Sequence, residues 1–345
     1  MKLFKKKIEF SYKKSPIIIA EISGNHNGNK SRFLKLVESA CKNGADLIKI
    51  QSYEPKDITL KKKTNSYLIK RGIWKGKYLS DLYKSACTPF SWHSDAFKIA
   101  KRYNKIIFSS PFSIRAVDFL EKLKVPLYKI ASFEITDYNL IRYIASKNKP
   151  VIISTGMATI KEIKNAIKII NKFHKKIVIL HCVSNYPTKV CETNLRRVNL
   201  LKKEFKNYPI GISDHTNSIY SSVASIPLGI VAIEKHFNID DKRTPDSDFS
   251  INPENLKNLK KITLDIFKSL NDNKKIKNSK KNIKLRRSIF SKKDIKKNEK
   301  ISTNNIVSLR PSIGIKSENF FKIIGKKVKK NILKNNPIFF NDLKN

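Results

Sequence analysis

Short apolar runs alternate with longer stretches in which apolar residues recur every three or four positions, as far as residue 270. The runs are PIIIAEI (16–22), DLIKIQS (46–52), KIIFSSPF (105–112), LYKIAS (127–132), PVIISTG (150–156), KIVILHCVS (176–184), PIGISDHT (209–216) and IVAIEKHF (230–237). Between them lie segments such as SRFLKLVESACKNG and IKEIKNAIKIINKFH, whose apolar residues fall on one helical face. Strand–helix alternation predicts a parallel sheet with right-handed crossovers, and eight such units predict a closed (β/α)8 TIM barrel over residues 1–270. A doubly wound open sheet is the alternative, but no GxGxxG follows the first run. A basic linker is expected at 271–286 and a small separate domain at 287–345.

The polar residues are not spread evenly along the runs. They collect at the C-terminal ends: Glu21, Lys49 and Gln51, Ser110, Lys129, Ser132 and Glu134, Ser154 and Thr155, His181 and Ser184, Ser213 to His215, and Glu234 to His236. Active sites of such barrels lie at that end of the strands. The charges that end the last run are therefore expected at the barrel mouth rather than in its core. Alternation puts Ser213 with His215 on one face of their strand and Glu234 with His236 on one face of the next. Two imidazoles converging at an open mouth suit a divalent metal with free coordination positions. The competing reading is two hydrogen-bonded histidines in polar loops. Lys49 and Lys129, ringed by Ser110, Ser132, Ser154 and Ser213, suit a phosphate or carboxylate. Alternatively, each lysine caps the barrel or pairs with Glu21 or Glu134. His174 ends a lysine-rich helix and is expected to be solvated. His93 is expected to line the entrance or to pack, and His26 lies in a turn just after the first strand.

Composition changes the picture little. The 345 residues carry 72 Lys and Arg against 28 Asp and Glu, a formal net charge of +44. The lysines cover nearly every predicted helix instead of one patch, and neither zinc-finger spacing nor an RNP1-like stretch is present, so no specific nucleic-acid partner is expected. The positive field would draw in anionic substrates. The first residues, MKLFKKKIEFSYKK, contain no signal-type apolar region, and no run has membrane-spanning length, so no membrane association is expected. Four cysteines without CxxC or metal-type spacing are expected to be reduced thiols in a cytoplasmic protein.

Six segments together resemble one known family. AEISGNHNG (20–28), DLIKIQSY (46–53), YKIASFE (128–134), ISTGMAT (153–159), GISDHT (211–216) and IEKHF (233–237) are similar, in order and spacing, to the motifs of the sialic acid synthases. The tail resembles an antifreeze-like (SAF) domain from RRSIFSKKDI onward, with Asn298 where the family often has glycine. The resemblance implies a TIM barrel followed by that domain. It implies condensation of phosphoenolpyruvate with an open-chain amino sugar, assisted by a divalent metal (Mn2+, Mg2+ or Co2+). It also implies a homodimer in which the SAF domain closes over the partner's barrel and Arg310 reaches the sugar.

Carried onto this sequence, the resemblance makes His215 and His236 the metal ligands. Lys49, Lys129, Ser132, Ser154 and Ser213, with Ser110, would receive the enolpyruvate. Glu21, or else Glu134, would handle water and protons, Gln51, Tyr186, Asp246 and Arg310 would hold the sugar, and Ser184, near the place where the family usually has an asparagine, would be a further substrate contact. Two stretches, IKRGIWKGKYLSDLYKSACTPFSWH (69–93) and TPDSDFS (244–250), resemble the pseudaminic acid branch of the family, whose substrate is a 2,4-diacetamido-2,4,6-trideoxy-altrose. The N-acetylneuraminate and legionaminate branches remain alternatives, as does another barrel aldolase. A catalytically silent glycan-binding protein is disfavoured by the intact Glu21, Lys49, Lys129, His215 and His236.

Overall fold

A computed structural model describes residues 2–3, 8–271 and 282–344. The chain divides into two compact units, 1–271 and 272–345. The expected linker lies largely outside the described residues.

All eight apolar runs form strands: β1 (Ile17–Glu21), β2 (Leu47–Ser52), β3 (Ile106–Pro111), β4 (Tyr128–Ile130), β5 (Val151–Ser154), β6 (Ile177–Cys182), β7 (Ile210–Asp214) and β8 (Ala232–His236). They pair in parallel and in sequence order, and β8 closes the barrel on β1 in the register Ala232↔Ile17 to His236↔Glu21. The strands are buried on both faces, which is why they read as apolar runs rather than alternating ones. Ile17, Ile18 and Ile19 are all buried although their side chains alternate between the lumen and the helical layer.

The helices show why their segments fold as they do. In α1 (Lys30–Lys42) the Asn29 side chain caps the backbone N–H of Arg32, and Phe33, Leu36, Val37, Ala40 and Cys41 form the buried face. The helix at Ile160–Asn171 opens with a capping box between Thr159 and Glu162 and buries Ile163, Ala166, Ile167 and Ile170. Each fully buried isoleucine of this stripe contributes roughly 1.5–3 kcal/mol. Thr159→Ala would remove about 1 kcal/mol by exposing the helix start.

Residues 69–93 insert between β2 and β3. A turn in which Ile69 and Lys77 pair through their backbones leads into helices at Leu79–Ala86 and Phe90–Arg102. His26 packs edge-on to Phe33 and Trp92 and bonds Thr88 Oγ1 at 3.1 Å. It therefore fastens this insertion to the loop after β1.

The second unit pairs β9 (Ser288–Ser291) with β10 (Ile306–Leu309) in antiparallel fashion. Its core includes Ile289, Ile301, Ile306, Ile315, Ile323, Val328 and Ile338. Asn298 has φ +70°, the left-handed conformation that glycine or asparagine tolerates best.

Candidate active site

Lumen-facing side chains of β1, β2, β4, β5, β7 and β8 meet in one hydrogen-bonded network. Lys49 Nζ lies 3.2 Å from Glu21 Oε2 and 3.1 Å from Glu234 Oε1. Lys129 Nζ lies 3.8 Å from Glu234 Oε1 and donates to Ser154 Oγ at 2.6 Å. Ser213 Oγ donates to Glu234 Oε1 at 3.0 Å, and Gln51 donates to Glu21 Oε1 at 2.8 Å and Ser23 Oγ at 3.0 Å. Of the two readings open for the lysines, ion pairing to Glu21 is therefore realised for Lys49, with Glu234 as a second partner.

Four buried charges in one lumen shift one another. Burial pushes Glu21 up to about 7; Lys49 pulls it back and Glu234 pushes it further. Burial would raise Glu234 as well, but Lys129 and Lys49 outweigh it and hold this carboxyl below its ordinary value. Burial lowers Lys129 against the opposing pull of Glu234, whereas Lys49 is held up against burial by both carboxylates. The lumen thus presents one lysine held up and one drawn down by burial, one firm carboxylate and one carboxyl poised near neutrality.

A second group stands beside the network. Ser132 Oγ lies 3.0 Å from Cys182 Sγ, and the Gly156 N–H donates to the same sulfur at 3.1 Å. A Cβ on Gly156 would sit 2.2 Å from Ser184 Oγ and 2.8 Å from Ser132 Oγ, so glycine is required where these hydroxyls close in. Ser184 Oγ and Ser110 Oγ are buried with no hydrogen-bond partner among the described residues. Buried hydroxyls left in that state have capacity for a ligand's oxygens.

At the mouth the rings of His215 and His236 are 5.4 Å apart. His215 Nδ1 lies 2.8 Å from the Val183 carbonyl, which makes Nδ1 the protonated nitrogen and leaves Nε2 with its lone pair. Burial depresses His215 to about 4 and His236 well below its ordinary value, so both rings are neutral at pH 7. His236 Nδ1 is buried without a partner among the described residues. Neutral imidazoles with free lone pairs fit a divalent cation. Among the described residues no third His, Cys, Asp or Glu joins them, so a cation here would keep open positions. Tyr186 lies 4.4 Å from the His215 ring, Phe249 4.7 Å from that of His236, and Trp74 5.7 Å from Tyr186. Trp74 also donates its N–H to the Pro245 carbonyl at 2.8 Å, which brings the insertion against the 244–250 segment.

The remaining candidates are placed differently. Asp246 is buried, raised by burial, and accepts from the Gly24 N–H at 2.9 Å, tying the loops after β1 and β8 together. Glu134 lies on a 3-10 turn after β4, pushed by burial up to about 7, with Oε2 unpartnered among the described residues. Ser110 is opposite Gln51 in the β2–β3 register. Arg310 is exposed on the second unit.

Three expectations need correction. Lys235 does not face the mouth: strand parity sends it to the outer side, where it pairs with Asp214 at 3.3 Å. His174 is buried rather than solvated, accepting from the Lys176 N–H at 3.2 Å. His181, also on the outer side of its strand, is within 2.8 Å of the Thr193 carbonyl. Glu234, absent from the candidates, is the residue that joins the two lysines. It shares a strand face with His236, and that parity was the signal available in the sequence.

The profile of the NeuB family matches residues 36–275, and that of the SAF domain residues 286–344. The chain is 39% identical over 327 residues to the pseudaminic acid synthase of Campylobacter jejuni subsp. jejuni serotype O:2, covering 94% of this chain and 95% of that protein. It is 37% identical over 326 residues to the N,N'-diacetyllegionaminic acid synthase of the same organism, covering 92% and 97%. Among solved structures, an N-acetylneuraminic acid synthetase from Leptospira borgpetersenii serovar Hardjo-bovis in complex with citrate superimposes with a TM-score of 0.70 at 27% identity, over 78% of this chain and 90% of that one. Matched along both its barrel and its tail, the chain belongs to the NeuB family, the sialic acid synthases, and carries a C-terminal SAF domain.

Proposed function

We propose that the protein is a pseudaminic acid synthase, joining phosphoenolpyruvate to a 2,4-diacetamido-2,4,6-trideoxy-altrose to give a nine-carbon 2-keto acid and phosphate. The observation that carries the reaction class is the lumen network: two buried lysines bridged by Glu234, beside unpartnered serine hydroxyls and two neutral histidines. The branch is supported by the 39% identity to the Campylobacter enzyme and by the insertion whose Trp74 meets the 244–250 segment. A legionaminate synthase is the second reading, favoured by a relative of 37% identity.

In this reading Lys49 and Lys129 neutralise the carboxylate and phosphate of the enolpyruvate, while Ser132, Ser154, Ser184 and Ser213 donate to their oxygens. His215 and His236 would hold a divalent cation, which as a Lewis acid polarises the sugar aldehyde. C3 of the enolpyruvate bonds to the aldehyde carbon, and the aldehyde oxygen takes the proton that Glu21 carries. The cation left at C2 is stabilised by the Glu234 carboxylate in the lumen. Water adds at C2 and gives its proton to Glu21, whose carboxyl is held where it can both take and return one. The tetrahedral intermediate then loses phosphate by cleavage of the C2–O bond. Gln51, Tyr186 and Asp246 shape the sugar side. The active unit is a homodimer in which Arg310 of one chain completes the site of the other.

The test is phosphate release by purified protein, with Mn2+ or Mg2+, offered the diacetamido-altrose, the legionaminate precursor and N-acetylmannosamine in parallel. Preference for the first by at least tenfold in kcat/KM is expected. Preference for either other sugar would transfer the protein to that branch, and no phosphate release with any would end the reading.

A further inference from the structure

The side chain that β8 turns away from the lumen also bears on the site. Lys235 is fully buried in the layer between barrel and helices. Its three ammonium protons face three acceptors: Asp214 Oδ1 at 3.3 Å, Thr216 Oγ1 at 3.1 Å and the Thr216 carbonyl. Asp214 is committed further, with Oδ1 accepting from the Thr216 N–H at 2.9 Å and Oδ2 from Ser222 Oγ at 2.5 Å. Thr216 Oγ1 donates onward to the Ser218 carbonyl at 3.0 Å.

Both neighbours of His215 in the chain are therefore tied to one buried cation. His215 itself is the first residue beyond β7, where the strand ladder ends and its own carbonyl accepts from the Thr188 N–H at 3.0 Å. Its ring is held on the other side by the Val183 carbonyl. A buried ion pair is a poor way to gain stability, because desolvation consumes most of the attraction and an apolar pair would pack the layer as well. What a charged pair supplies and an apolar pair does not is a directional hold on a backbone carbonyl and on the two residues beside it.

We propose that Lys235 is a positioning residue: it fixes residues 214–216 from outside the barrel and so holds the His215 imidazole against Val183, with Nδ1 protonated and Nε2 unprotonated, 3.5 Å from Ser213 Oγ. Only the metal readout below rests on the proposed ligand role of His215.

The experiment compares wild type, Lys235→Met and the double variant Lys235→Met with Asp214→Asn, in which no carboxylate is left buried and unpaired. Histidines labelled with 15N, six in the chain, report the His215 tautomer once its signals are assigned with His215→Ala. Wild type should show a single neutral Nδ1–H form. Both variants should show mixed tautomers, and their Mn2+ affinity, titrated by electron paramagnetic resonance, should fall tenfold to a hundredfold, about what loss of a ligand-orienting contact costs. A double variant with the wild-type tautomer and the wild-type Mn2+ affinity overturns the proposal. Unfolding of both variants overturns it too, because Lys235 would then serve the barrel wall as a whole. A wild type that binds no Mn2+ ends the metal reading, while the nitrogen spectra still decide the positioning role.

Discussion

Lys49 Nζ lies 3.1 Å from Glu234 Oε1, a contact that reaches from β2 past β1 to β8. The same carboxylate oxygen is 3.8 Å from Lys129 on β4, so Glu234 bridges opposite walls of the lumen. Glu234→Ala would leave two buried ammonium groups short of a counter-charge, and breaking a buried pair from one side costs about 3–5 kcal/mol. Chemical denaturation should show a loss of that order, and kcat/KM should fall by at least about a hundredfold, as when one preorganised electrostatic group is removed. A stability equal to wild type would mean that the lysines do not depend on this carboxylate.

Glu21 gives the site a pH dependence. Its folded value of about 7 stands above its ordinary 4.5. A group raised in this way holds its proton longer in the folded than in the unfolded state. Its contribution to stability is complete below pH 4.5 and is lost as pH rises to about 7. Glu21→Gln should therefore flatten the stability profile across that window. It should also remove a limb near pH 7 from the kcat/KM profile. Glu134 is raised to a similar value. If the limb survives in Glu21→Gln and vanishes in Glu134→Gln, the proton-handling role passes to Glu134.

Gly156 separates substrate binding from folding. An added Cβ would press on Ser184 Oγ at 2.2 Å and on Ser132 Cβ at 2.7 Å. Gly156→Ala should displace both hydroxyls, raising KM for phosphoenolpyruvate at least tenfold, with a stability loss in the range of about 1–3 kcal/mol for overpacking. Full-strength phosphoenolpyruvate binding by calorimetry would remove these serines from the anion site.

The proposed dimer makes a prediction of its own. Truncation near residue 284 should leave a folded barrel with very poor activity. Mixing Arg310→Ala chains with His236→Ala chains should restore part of the activity, because one site of each mixed dimer would receive neither lesion. No recovery despite demonstrated subunit exchange would place Arg310 within its own chain's site or outside catalysis.

No helix among the described residues is long and apolar enough to cross a membrane, and all four cysteines are free. If His215 and His236 hold a divalent cation, as proposed, chelator in the assay buffer should suppress turnover, and with no disulfide to break, reductant should leave it unchanged. Turnover persisting in full after exhaustive metal removal would end the metal assignment.

The sequence by itself determined the barrel. Strands buried on both faces must be apolar throughout, and the helices between them carry one-sided stripes, so each of the eight runs announced its strand. It also determined where the polar side chains collect, because charge is excluded from the lower barrel and tolerated only at the strand ends. Alternation then placed His215 and His236 on lumen faces, and Asn298 stood where a left-handed turn was required. Only the tertiary structure decided which charges pair. Nothing in IEKHF states that Glu234 meets Lys49 and Lys129, since those partners lie 185 and 105 positions away in the chain and are brought close by barrel closure. The opposite fates of Glu234 and Lys235 follow from strand parity, but the partner awaiting Lys235 on the outer side, Asp214, depends on the β7–β8 register. The proton held near neutrality on Glu21 likewise exists only once burial and neighbouring charges act together, and those are properties of the packed lumen and not of any segment.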